Sequence, residues 1–177
     1  KDFWKVSHLL QTLIKFPTAR TTVALSRWSA AFAQAPDAPV NGLRRAMRAN
    51  RPLAAVLGLA ILLVYPVVTA GPVWSRVFAS VSAADSHLVR AALACYLAGA
   101  IPYLLGLVST QAILIVRDAA FTASVAVLVG ILNVPMDAIG IEWIGLPGIA
   151  LATSLLHVVG WSAAEWRLWR RAVDEAP

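Results

Sequence analysis

Lys15 and Arg20 stand inside an apolar stretch, Val6 to Gln34, with Arg27 further along it. A charge at bilayer depth is costly, and one that persists there faces a protein interior, a water-filled cavity or an anion. Arg20 and Arg27 are seven residues apart and return to nearly the same helix face, while Lys15 lies about 140° round from Arg20. The chemistry these cations suit is electrostatic capture of an anion along a polar cavity wall. The competing reading has Lys15 snorkelling outward and Arg27 reaching the headgroups.

Three further positions carry polar chemistry. Asn133 and Asp137 share a face at i, i+4 and suit a gate or a cation site, or else a plain polar helix terminus. His157, four residues after Thr153, titrates near neutral pH if water reaches it, and otherwise serves as a packing hydrogen-bond partner. Arg117 and Asp118 form a tight turn, suited to phosphate attraction or a local ion pair. The chain has no HExxH zinc motif, GxSxG elbow, Walker loop or paired acidic metal motif, so covalent catalysis has few obvious players and no metal or cofactor is expected.

The elements that hold these residues follow from charge-free runs. Pro52 to Ser75, Ala91 to Val116, Ala119 to Met136 and Trp143 to Ala164 contain 24, 26, 18 and 22 residues without Asp, Glu, Lys or Arg. A hydrocarbon core of about 30 Å needs about 20 helical residues, so each run can span it. Apolar residues make up 59% of the chain and charged ones 14%, which disfavours a water-soluble packing. The runs do not alternate as barrel strands do, so an all-α, polytopic transmembrane bundle of about five helices is expected, at about 6–34, 52–78, 88–116, 119–137 and 143–171.

The net charge of +6 is spread between hydrophobic segments, which argues against a nucleic-acid face. With Arg44, Arg45, Arg48 and Arg51 cytoplasmic, alternation adds Arg117, Arg167, Arg170 and Arg171 to that side and leaves Arg76 and Arg90 outside, as the positive-inside rule requires. Residues 137–142 are then an external loop. Pro66, Pro102 and Pro135 are expected to kink their helices. Trp74, Trp143, Trp161, Trp166 and Trp169 are read as headgroup anchors, and Cys95 as a structural thiol. Gly148 with Ala152, and Ala150 with Ser154, supply small-residue spacings for close helix packing. Because the chain opens on Lys1, it is expected to be part of a longer membrane protein.

Two segments resemble a known family. KFPTARTTVALSRWSAAFAQ, followed by an arginine-rich turn, and NVPMDAIGIEWIGLPGIALATSLLHVV are similar to the second half of MurJ (MviN) type lipid II flippases. Phe16, Pro17, Val23 to Leu25, Asn133, Asp137, Gly145, Gly148 and Ala150 to Ser154 carry the resemblance. The last motif recurs in polysaccharide flippases of the same exporter superfamily.

The resemblance implies helices eight to twelve of a MATE-like, two-lobed transporter in the bacterial cytoplasmic membrane, with residues 1–177 forming part of the C-terminal lobe. Its implied partners are an undecaprenyl-diphosphate-linked glycan (lipid II), membrane lipids and an N-terminal lobe of the same protein. The family's arginine before the F-P pair falls at Gln11 or Thr12 here, so Lys15 or Arg20 is expected to take the diphosphate-binding role. The rival readings are a Wzx-like polysaccharide flippase, a multidrug exporter and a non-transporting membrane scaffold. Drug export would prefer intramembrane carboxylates, of which Asp137 is the marginal example.

Overall fold

A computed structural model describes residues 27–34, 39–48, 51–79 and 81–174 of the 177. The described elements are all helical. Residues 27–33 form a short helical segment. After it come α1 (Pro39–Arg48), α2 (Arg51–Thr69), α3 (Gly71–Val77), α4 (Ala83–Ala98), α5 (Ala100–Ile115), α6 (Ala119–Ile144) and α7 (Leu146–Asp174). Among the described residues, four stretches are long and apolar enough to cross a membrane: α2, Asp85–Ile115, α6 and α7. The chain is an all-α polytopic helical bundle.

α1 is amphipathic. Val40, Leu43 and Met47 recur at helical spacing and are buried, while Arg45 and Arg48 are exposed. Trp28, Leu43 and Met47 join Ala54, Leu104, Val108, Ala112, Ile113, Ala164 and Leu168 in one buried cluster. This cluster ties residues 27–33, α1, α2 and α5 to the C-terminal half of α7. The end of the bundle it occupies also carries the turn at 116–118, and is called the basic end below.

Breaks in the helices have local causes. Pro102 lacks the amide that would bond to the carbonyl of Ala98, and the helix divides at Gly99 between α4 and α5. At the break the Gly99 amide turns to Tyr96 O at 3.1 Å, which frees the carbonyl of Cys95. Ser154 Oγ on α7 donates to that carbonyl at 2.6 Å. In lipid a freed carbonyl has no water to turn to, so this side chain completes the backbone. A second break, at Ala70, separates α2 from α3, where the amides of Val73 and Trp74 restart a helix on the Ala70 carbonyl. Pro135 lies within the continuous α6.

The helices expected over 52–78 and 88–116 thus each divide in two, and a further boundary also differs from the sequence reading. Helix α6 does not stop at Asp137 but runs to Ile144, so residues 138–142 are helical and not a loop. No proline or glycine pair interrupts DAIGIEWI, and the stop comes at Gly145, whose φ of 75° suits a residue without Cβ. The turn between α6 and α7 is therefore almost a single residue. Trp74 also departs from expectation. It is buried, stacks on Phe78 at 4.2 Å, donates to Ser86 Oγ at 3.0 Å and takes the Arg90 guanidinium over its ring at 4.6 Å. It fastens α3 to α4, whereas Trp143, Trp166 and Trp169 are exposed as anchors would be.

The α6–α7 hairpin closes by backbone contact. A Cβ built on Gly140 would meet the Gly148 carbonyl oxygen at 2.6 Å, and one on Gly148 would overlap the Gly140 carbonyl. Gly140→Leu is expected to lower the stability of the detergent-purified protein by at least about 3 kcal/mol, the upper range for overpacking. Gly130→Ala, in open space on the same helix, is expected to leave stability unchanged or raise it by about 1 kcal/mol. Thermal unfolding of both variants checks the contrast.

Candidate functional site

Polar groups collect in four places: a cleft, the Asn133 and Asp137 pair, a half-buried ion pair and the basic-end turn. The cleft lies between α5, α6 and α7, has a volume of about 230 Å³, and is lined by Tyr103, Thr110, Thr122 and His157 among apolar side chains. The His157 ring tilts against Tyr103 with centroids 4.9 Å apart. Thr153 does not reach His157; its hydroxyl donates back to the Ile149 carbonyl at 3.1 Å.

Asn133 and Asp137 meet as their spacing predicts, Asn133 Nδ2 donating to Asp137 Oδ2 at 3.1 Å. Asp137 Oδ1 is buried and has no hydrogen-bond partner among the described residues. Neither residue lines the cleft that holds His157. Lys15 and Arg20 lie outside the described residues. Arg27 is described, exposed, and does not line the cleft.

Two ionic groupings were not singled out in the sequence. Arg51, at the start of α2, donates through Nη2 to both carboxylate oxygens of Glu165 on α7, at 2.8 and 2.6 Å. Ser109 on α5, almost fully buried, also points its hydroxyl at Glu165. The signal was present but split: Arg51 directly precedes one charge-free run and Glu165 directly follows another. Treated as borders, the two charges were never paired. Glu165 is thus a half-buried carboxylate at the basic end, paired with its arginine.

The second grouping centres on Asp118, between α5 and α6. Arg117 takes a φ of 60°, an unusual value outside glycine, and lets the Asp118 amide bond to Ile113 O at 3.1 Å while its own amide bonds to Leu114 O at 3.0 Å. This closure turns the Asp118 side chain to α7 instead of to Arg117. Arg167 Nε and Nη2 donate to Asp118 Oδ2 at 2.8 and 2.7 Å, and Arg171 Nη2 at 3.1 Å. Asp118 Oδ1 also accepts from the Phe121 amide at 3.4 Å, capping α6. The turn and the C-terminal arginines are therefore on one side of the membrane, and the contact of Asn41 Nδ2 with Ala172 O at 3.4 Å puts α1 there too. That juxtaposition is the one the alternating topology requires.

No family model, curated protein or solved structure matches the chain.

Burial of Asp118 acts to raise its pKa, but the hydrogen bonds from Arg167 and Arg171 outweigh it and hold the carboxyl below its ordinary 3.8. Because the folded value is the lower one, the stabilisation is complete above the unfolded value and is lost as pH falls through the folded value. Asp118→Asn is expected to cost about 2 kcal/mol at neutral pH. The gap between wild type and variant should narrow as the pH falls below 3.8, read from unfolding midpoints across a pH series.

The Arg51 and Glu165 side chains keep 30% and 24% exposure, so their pair is only partly desolvated. Glu165→Ala alone is expected to cost about 2 kcal/mol, less than the figure for fully buried pairs. The double variant Arg51→Met, Glu165→Leu is expected to recover most of that loss, and a double-mutant cycle on unfolding free energies measures the coupling.

Proposed function

We propose that this chain forms part of the C-terminal lobe of a flippase in a bacterial cytoplasmic membrane, one that moves an undecaprenyl-diphosphate-linked glycan, lipid II, between leaflets. The observation that carries the reading is α6. It is a membrane-length helix with no fully buried residue, and it bears the hydrogen-bonded Asn133 and Asp137 pair at bilayer depth. A helix so apolar on its open faces yet polar at this pair suits one wall of a transport pathway closed by further helices. The sequence resemblance supplies the substrate class.

In this reading Lys15 and Arg20 hold the diphosphate, and Arg27 serves the same cavity towards its cytoplasmic side. The lobes rock around the bound headgroup, driven by membrane potential or an ion gradient. A cation bound at Asp137 would link such a gradient to the position of α6. No bond in the substrate is made or broken.

The test is translocation of fluorescent lipid II by the full-length protein in liposomes. Wild type is expected to move it, Lys15→Ala with Arg20→Ala to slow it at least tenfold, and Arg76→Ala, on the opposite end of the bundle, to leave it unchanged. Movement of another oligosaccharide lipid but not lipid II would replace the substrate with that of a polysaccharide flippase. Absence of any movement, with normal cell-wall synthesis in the double variant, would make the chain a membrane scaffold.

A further inference from the structure

The cleft between α5 and α6 has a polarity gradient along its floor. On α7, Gly160 and Ala164 line the cleft, and Arg167 and Arg171 follow at steps of three and four residues, which keeps all four on one helix face. The two small residues leave room above the backbone. The walls there are apolar, with Leu107 from α5 and Phe121, Val125 and Val129 from α6. At the mouth the Arg167 guanidinium lies over the Phe121 ring at 5.3 Å.

The charge at that mouth is positive in sum. Arg117, Arg167, Arg170 and Arg171 stand against the carboxylates of Asp118 and Asp174, and Arg117 and Arg170 are exposed. Arg171 spends one guanidinium nitrogen on Asp118 and keeps 44% of its side chain exposed, so donors remain for an anion. From Arg167 to Leu156, at the inner limit of the cleft, α7 rises roughly 16 Å, about the depth of one leaflet. The volume of about 230 Å³ falls below the usual range of about 300–1,000 Å³ for pockets that enclose a compact small molecule. A narrow chain fits these dimensions better than a bulky headgroup.

We infer that this cleft is a binding site for one anionic phospholipid, with an acyl chain along Gly160 and Ala164 and the phosphate held by Arg171 and Arg167. The site lies at the basic end and draws its lipid from the leaflet on that side. The lipid fills the space that α5 and α6 leave between them and bridges the two helices at the cost of no protein contact. The inference rests on membrane placement and on the cleft, not on the identity of the transported substrate.

The test uses full-length protein extracted from nanodiscs of equimolar phosphatidylglycerol and phosphatidylethanolamine, examined by native mass spectrometry. One phosphatidylglycerol is expected to stay bound through mild delipidation. Val125→Trp and, separately, Val129→Trp are expected to abolish retention while thermal unfolding shows the fold intact. Arg171→Gln is expected to lower the preference for phosphatidylglycerol roughly fivefold, the effect of one basic residue on an anionic lipid. Equal retention of the two lipids, or retention undiminished in both tryptophan variants, would overturn the assignment. So would a wild-type protein that keeps no phospholipid, because another helix of the full chain would then occupy the cleft. A retained phosphatidylglycerol in a protein that fails to move lipid II would leave this site standing and remove the proposed substrate.

Discussion

The bundle depends on how closely its other helices approach α7. Between helices in lipid there is no hydrophobic drive comparable to that in water, so association relies on close packing and on polar contacts. Helix α7 meets that constraint differently at two places. At Gly148 it lets the backbone of α6 come into direct contact through Gly140, and at Ser154 it packs on Gly99 and bonds to the Cys95 carbonyl. A larger side chain at Gly140 or Gly148 would push α6 and α7 apart, because that contact is backbone against backbone and cannot yield by a rotamer change, whereas one at Gly99 would first meet the Ser154 hydroxyl.

Charge is placed by the same economy of space. Arg51 with Glu165, and Asp118 with Arg167 and Arg171, all join α7 to a neighbouring element at the basic end. Near the headgroups these side chains retain part of their hydration, so pairing there costs less than it would at the bilayer centre. The far end has no equivalent ionic grouping on α7 among the described residues and is closed by the Gly145 turn and by the Trp74 clasp on Ser86 and Arg90. The two ends of the molecule are held by different physics, ionic on one side and steric on the other.

Much of this was legible in the sequence because membrane spans announce themselves by length and by absence of charge. The four runs became membrane-length helices, and the small residues of α7 packed as their spacing implied. Asn133 and Asp137 were legible through their i, i+4 spacing, and the break before Pro102 through its missing amide. What escaped was long-range pairing. Glu165 lies 114 positions from Arg51 and 56 from Ser109, and no local pattern joins them. Asp118 was read with its neighbour Arg117, but one left-handed residue turned it to α7 instead. The extension of α6 to Ile144 was missed because Asp137 and Glu142 were taken for loop residues, although their neighbours are apolar and helix-compatible.

Helix α6 shows why the cleft exists. It is fixed to α7 at one end by the arginines on Asp118, which caps its first turn, and at the other by the glycine contact near Gly145. Between these anchors its side towards α5 has no close packing, and the small residues of α7 below it leave the space open. Helix α7 is itself packed on α5 through Leu104, Val108, Ala112 and Ile113 against Ala164 and Leu168, so α5 and α6 are both held by α7 and their separation is set there. The cleft is therefore the space left where two helices pack on the same third helix through different residues and not on each other.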